Sequence, residues 1–187
     1  MKRLIALLIG SGLLMGCSSY PEPASSRHST GEPVLQDLAV PPPGSCHLTG
    51  GPEPASARPD PQCTPGAVNP EVTQSDIDST ICQKGWTKTV RPPATVTSPL
   101  KRQLMLAYAE AVPTQEVELD HLLPLELGGA PLDVHNLWPE PGASPNPKDK
   151  VESQLNHLVC SRRLGLGEAQ QRIQHDWTTA ATGLPQA

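Results

Sequence analysis

The sequence predicts a small, mostly helical α+β domain behind a long proline-rich lead. Three observations predict it. Ten of the 23 prolines fall within residues 18–62, where Ser, Ala and Gly fill the gaps and little apolar surface exists to offset chain entropy. From Cys63 onward, apolar residues recur every three to four positions in several segments. Among them lie two short strand-like segments around a Gly-Gly turn, followed at once by a helix, so that residues 116–160 read as a strand–strand–helix unit.

Composition narrows the function classes. A chain of 187 residues holds one ordinary domain plus an appendage, which excludes a large multidomain enzyme. With no Phe, three Trp and two Tyr, one core running the whole length is not expected, and the tryptophans are the expected core anchors. The formal charge of −5 carries no electrostatic signature of a nucleic-acid partner. No apolar run after residue 16 approaches the roughly 20 residues that span a bilayer.

Met1-Lys2-Arg3 is a basic start, Leu4–Leu14 an apolar run of export-signal length, and Leu14-Met15-Gly16-Cys17 closes it. A Cys directly behind the Gly resembles the bacterial lipobox, which implies a signal peptide over 1–16 and acylation of Cys17. Loss of residues 1–16 removes Lys2 and Arg3 and leaves a formal charge of −7, so lipid rather than a basic patch is the expected membrane anchor. The expected location is the bacterial envelope, facing periplasm or surface, with Ser18 leaning toward the outer membrane. Residues 17–62 then form a lipidated, disordered tether, and residues 63–187 the domain.

Cys46, Cys63, Cys82 and Cys160 remain, an even number in an exported chain, with three connectivities open. The expected pairs are Cys82–Cys160 within the domain and Cys46–Cys63 pinning the tether to it. No Cys-x-x-Cys occurs, so a zinc ribbon is unsupported.

Within the domain, Ser75-Asp76-Ile77-Asp78 predicts the start of a short helix reaching Cys82. Trp86–Val90 alternates like a strand that Arg91-Pro92-Pro93 stops. Ser98-Pro99 reads as a cap and first helical position, with Leu100, Leu104, Tyr108 and Ala111 on one face. Val117 and Leu119 mark a strand, Leu127-Gly128-Gly129 a turn and Val134–Trp138 a second strand. Asn146-Pro147 opens a helix with Val151, Leu155, Leu158 and Val159 inward. A last helix over 168–180 turns Ala169, Ile173, Trp177 and Ala180 to the core.

The chemistry-bearing residues gather in the strand–strand–helix unit. Asp120-His121 ends the first strand, Asn136 follows fifteen residues later, and ten further on Asn146 opens a helix carrying Asp149 and Glu152. A hard cation such as Mg²⁺ takes oxygen ligands of the kind Asp120, Asn146 and Asp149 offer, and keeps positions for phosphate and water. A neutral His121 beside it can accept a proton from water, and Asn136 can brace the loop that bears it. Asn146 is equally suited to capping its helix, and Asp149 and Glu152 to complementing the helix N-terminus. His135, His157 and His175 read as surface residues; Lys148 and Lys150 are near enough to the site to touch phosphate, but two lysines on a helix more often form a solvated face.

Glu118-Leu119-Asp120-His121-Leu122-Leu123-Pro124-Leu125-Glu126-Leu127-Gly128-Gly129, followed by Asn136-Leu137-Trp138-Pro139, resembles the HNH (ββα-metal) endonuclease motif. More narrowly, the chain is similar to a group of exported bacterial HNH-like proteins. That similarity runs from Asn69-Pro70, Thr80-Ile81-Cys82, Gly85-Trp86-Thr87 and Val90–Pro93 through Lys148–Glu152 and Leu158–Cys160 to Trp177, covering about 63–182. The resemblance implies His121 as general base, Asp120 as metal ligand and Asn136 as loop support. The third ligand falls on Asn146 or Asp149, since a strict third His is missing. It further implies a divalent metal (Mg²⁺ first, Mn²⁺ or Zn²⁺ as alternatives) and DNA or RNA as substrate. The competing expectation is a catalytically inactive HNH-like lipoprotein serving as an interaction or structural module.

Overall fold

The structure, a computed structural model, describes residues 38–186. Cys17, the signal segment and the first half of the tether lie outside the described residues. Among the described residues, helices α1 (Trp86–Val90), α2 (Ala94–Ala107), α3 (Pro147–Cys160) and α4 (Leu166–Asp176) surround one antiparallel pair, β1 (Val117–His121) and β2 (Leu137–Pro141). The α+β class and the predominance of helix follow directly.

The hairpin register pairs Glu118 with Glu140 and Asp120 with Trp138. Side chains alternate across a strand, so these four share one face. Leu119 and Leu137 take the other face and pack with Leu100 and Leu104 of α2. The second strand lies further along the chain than its alternation predicts: Val134–Asn136 is a 3₁₀ turn capped by Asp133, and pairing runs on to Pro141. Prolines at 139 and 141 are tolerated because each strand of a two-stranded sheet has an unpaired edge.

Helix α3 starts where Asn146-Pro147 predicts. The Asp149 carboxylate accepts from the Asn146 backbone N–H at 2.8 Å, and Pro147 takes the first helical position. Leu155, Leu158 and Val159 are buried, with Val151 packed at the edge of the same core. In the final segment Ala169, Ile173, Trp177 and Ala180 all face inward, although the helix itself stops at Asp176. Trp138 is fully buried and Trp177 nearly so, while Trp86 packs on the margin.

Three predicted elements take another form. Residues 75–82 are successive turns rather than a helix. The Thr73 hydroxyl donates to the Asp76 carboxylate, and the hydroxyls of Ser79 and Thr80 donate to its carbonyl. These local bonds compete with a helical ladder. Trp86–Val90 is a helical turn, not a strand: Gly85 enters it with φ 85°, and Arg91 N–H closes on Thr87 O at 3.1 Å. Five alternating residues without a neighbouring strand have no ladder to join. The next helix begins at Ala94, directly after Pro92-Pro93, so Pro99 sits inside it and Ala111 lies exposed beyond its end. Burial of Val96 holds the extra upstream turn despite the hydrogen bond that Pro99 forgoes.

The expected boundary at residue 63 moves toward the N-terminus. Cys46 and Ala57 are fully buried. Gly44 and Cys46 N–H donate to the carbonyls of Leu106 and Ala107 at 2.9 and 3.0 Å. The Trp177 indole donates to Ala57 O at 2.8 Å, and Arg58 pairs with Asp176 at 2.7 Å. Residues 38–62 thus belong to the domain. Their prolines lower the entropy lost on ordering, and a disulfide ties the segment down. Both expected disulfides are present, Cys46–Cys63 and Cys82–Cys160.

Candidate functional site

Asn136 organises the loop between the strands. Its side chain is fully buried, accepts from Leu123 N–H (2.9 Å) and donates to the carbonyls of Leu123 (2.9 Å) and Ala130 (3.0 Å). Leu122 N–H donates to the Asn136 carbonyl at 2.8 Å. All its side-chain hydrogen bonds are to backbone, so Asn136 braces the loop. Gly129 completes the loop: a Cβ there would stand 1.7 Å from the Leu123 carbonyl oxygen and 2.8 Å from Asn136 Nδ2. The Gly-Gly turn signal therefore reflects close packing as well as chain reversal.

The end of β1 delivers Asp120 and His121 to a cavity of about 100 Å³, lined also by Thr87, Arg91, Glu118, Glu126, Asp149 and Glu152. It has room for a few waters or a hydrated ion, and a nucleobase would have to remain outside. His121 is 7% exposed, and its Nε2 lies 3.0 Å from the Pro131 carbonyl oxygen. A carbonyl only accepts, so Nε2 carries the proton and Nδ1 is the unprotonated nitrogen of the neutral ring. Burial pushes the His121 pKa below its usual value, against the smaller opposing pulls of the Pro131 carbonyl and Asp120.

Asp120 is gripped at one oxygen. Its Oδ2 accepts from the Trp138 indole N–H at 3.0 Å and lies 2.8 Å from the Lys148 ammonium. Lys148 is 0% exposed, which corrects its reading as part of a solvated face. The same ammonium bonds Glu152 and donates to the His121 carbonyl at 2.8 Å. Burial alone would lower the Lys148 pKa, but Asp120, Glu152 and Glu140 together outweigh it and hold the ammonium protonated. Lys150 is exposed as expected, and so are His135, His157 and His175.

The carboxyls crowded around this one cation cannot all ionise. Glu140 is 1% exposed, and burial followed by repulsion from Asp120 pushes its pKa up to about 9. Burial likewise lifts Glu152 to about 7 despite Lys148, and raises Glu118 and Glu126. Four buried side-chain atoms have no hydrogen-bond partner among the described residues: Glu118 Oε2, Glu140 Oε1 and both polar atoms of Asn146. Such orphans are costly and mark a place where a polar occupant belongs. Asn146 is 4% exposed and lies beside Glu118, while Asp149 lines the cavity with its Oδ2 committed to the Asn146 backbone. Asp120 and Asp149 therefore line one cavity, whereas Asn146, the other residue expected to bind metal, is not among its lining residues and sits beside Glu118. No three Asp, Glu, His or Cys side chains among the described residues form a cage for a metal.

Sequence reasoning singled out Asp120, His121, Asn136, Asn146 and Asp149 but missed Arg91, Glu118, Glu126, Glu140 and the burial of Lys148. Two signals were present. Lys148 and Glu152 fall on the same helical stripe as Val151, Leu155 and Leu158, and Glu118 alternates onto the face of Asp120. No known protein family, curated protein or solved structure matches the chain.

Proposed function

We propose that the protein is an HNH-like hydrolase of nucleic-acid phosphodiester bonds that works with a divalent metal. The observation that carries this reading is His121: neutral, with Nε2–H held by the Pro131 carbonyl, and lining the same cavity as Asp120. The donors present suit a hard cation. Asp120 Oδ1 makes no hydrogen bond among the described residues, and Asp149 lines the same cavity. An Mg²⁺-type ion takes one or two protein oxygens, fills its remaining positions with water and phosphate, and needs no protein cage. When bound, it would supply charge neutralisation at the phosphoryl oxygens.

This chain's own residues do the rest. His121 Nδ1 accepts the proton of the attacking water, and the Pro131 carbonyl keeps the ring in the tautomer that leaves that nitrogen open. Asn136 fixes the loop, and Arg91 is the one cation among the described residues that lines the cavity, placed to meet a phosphoryl oxygen. The sequence motif at Cys17 supports a lipid-anchored location in the bacterial envelope. Labelled palmitate incorporated by the wild type and lost in Cys17→Ser would bear this out, and equal labelling would refute it.

One observation favours the alternative, an inactive HNH-like interaction module. Glu118, Asp120, Glu126, Asp149 and Glu152 line the cavity against a single arginine, which opposes a polyanion unless a metal is bound. The test is cleavage of plasmid and RNA by the disulfide-intact chain with Mg²⁺, Mn²⁺ or Zn²⁺. The expected result is EDTA-sensitive cleavage that falls by about 100-fold or more in His121→Ala. Wild type and variant equally inert with all three metals would discard the hydrolase and leave the module.

A further inference from the structure

Lys148 is out of reach of any substrate, since its side chain is 0% exposed. An ammonium has three donors. Here it forms an ion pair with Asp120 Oδ2 at 2.8 Å, and it donates to the His121 carbonyl at 2.8 Å and to the Glu152 carboxylate. Two of these belong to the consecutive residues on which the site rests. The third, one turn along α3, steadies the lysine itself. Asp120 Oδ2 is also held by the Trp138 indole from β2, so β1, β2 and α3 converge on a single oxygen.

We propose that Lys148 is a positioning residue: its buried ammonium fixes the Asp120 side chain and the His121 backbone relative to one another and to α3, leaving Asp120 Oδ1 as the oxygen offered to the cavity. A simple stabilising ion pair would need only one of these contacts. The catalytic consequence rests on the hydrolase reading, but the placement does not.

The Trp138 indole N–H reports the placement directly, because it donates to the oxygen that Lys148 holds. Trp177, bonded to Ala57 O, serves as an internal control of folding. In ¹H–¹⁵N spectra of Lys148→Met, the Trp138 indole resonance should shift and its proton should exchange about tenfold faster or more, with Trp177 unchanged. If that variant does not fold, Lys148→Met/Glu152→Gln removes one carboxylate with the ammonium and carries the same test. A folded variant whose Trp138 resonance and exchange match wild type overturns the proposal.

Where the wild type cleaves, kcat should fall by about 100-fold, the scale of a misplacement of about an ångström. KM should stay within about threefold. An unchanged kcat overturns the catalytic consequence alone. An inert wild type together with a displaced Trp138 resonance refutes the hydrolase while the role of Lys148 stands.

Discussion

Asn136 and Glu140 show how much a single side chain decides here. Asn136 spends its amide on three backbone groups of a loop that would otherwise carry unpaired polar atoms. Asn136→Ala should destabilise the domain by about 2–4 kcal/mol, read as a lower denaturant midpoint, because buried N–H and C=O groups are left unmet. Glu140 has a raised pKa, so the folded state holds a proton that the unfolded chain releases. Its contribution is complete below the ordinary carboxyl value and is lost as pH rises toward about 9. Stability measured from pH 5 to 9 should therefore decline in the wild type and decline less in Glu140→Gln, which keeps the shape without that ionisation while Glu152 still titrates. An equal decline in both would show that Glu140 is ionised throughout.

Among the elements, the disulfides and α3 have separable roles. Cys82–Cys160 joins the turns before α1 to the end of α3 across 78 residues, and Cys46–Cys63 spans 17. Loop entropy predicts that Cys82→Ser/Cys160→Ser costs roughly 4–5 kcal/mol and Cys46→Ser/Cys63→Ser roughly 3 kcal/mol. Chemical denaturation of the two double variants would check the order. Helix α3 was legible because Asn146-Pro147 and its apolar stripe state its start and its inner face. The turn at Trp86–Val90 was not legible. Its short alternation fits strand or helix, and only the lack of a neighbouring strand decides between them.

At the scale of the whole molecule, the proline-rich lead is divided. Residues 38–62 close over the C-terminal region through Ala57–Trp177 and Arg58–Asp176. A chain beginning at residue 64 should unfold at a lower denaturant midpoint, losing more than the roughly 3 kcal/mol of the Cys46–Cys63 link alone, because those contacts go with it. An unchanged midpoint would return the segment to the status of a tether.

The sequence by itself determined the strand–strand–helix unit, the helix start at Asn146-Pro147, the Asp120-His121 pair at a strand end and the inner face of the last helix. Each element rests on a local signal, carried by its own residues and their immediate neighbours in the chain. Tertiary structure alone decided that Lys148 is buried among carboxyls, that Glu140 faces Glu118, and that a segment rich in proline belongs to the core. Those outcomes depend on what lies across the fold: a charge on a helix is solvated or buried according to the partner its face meets, and no local pattern states that partner.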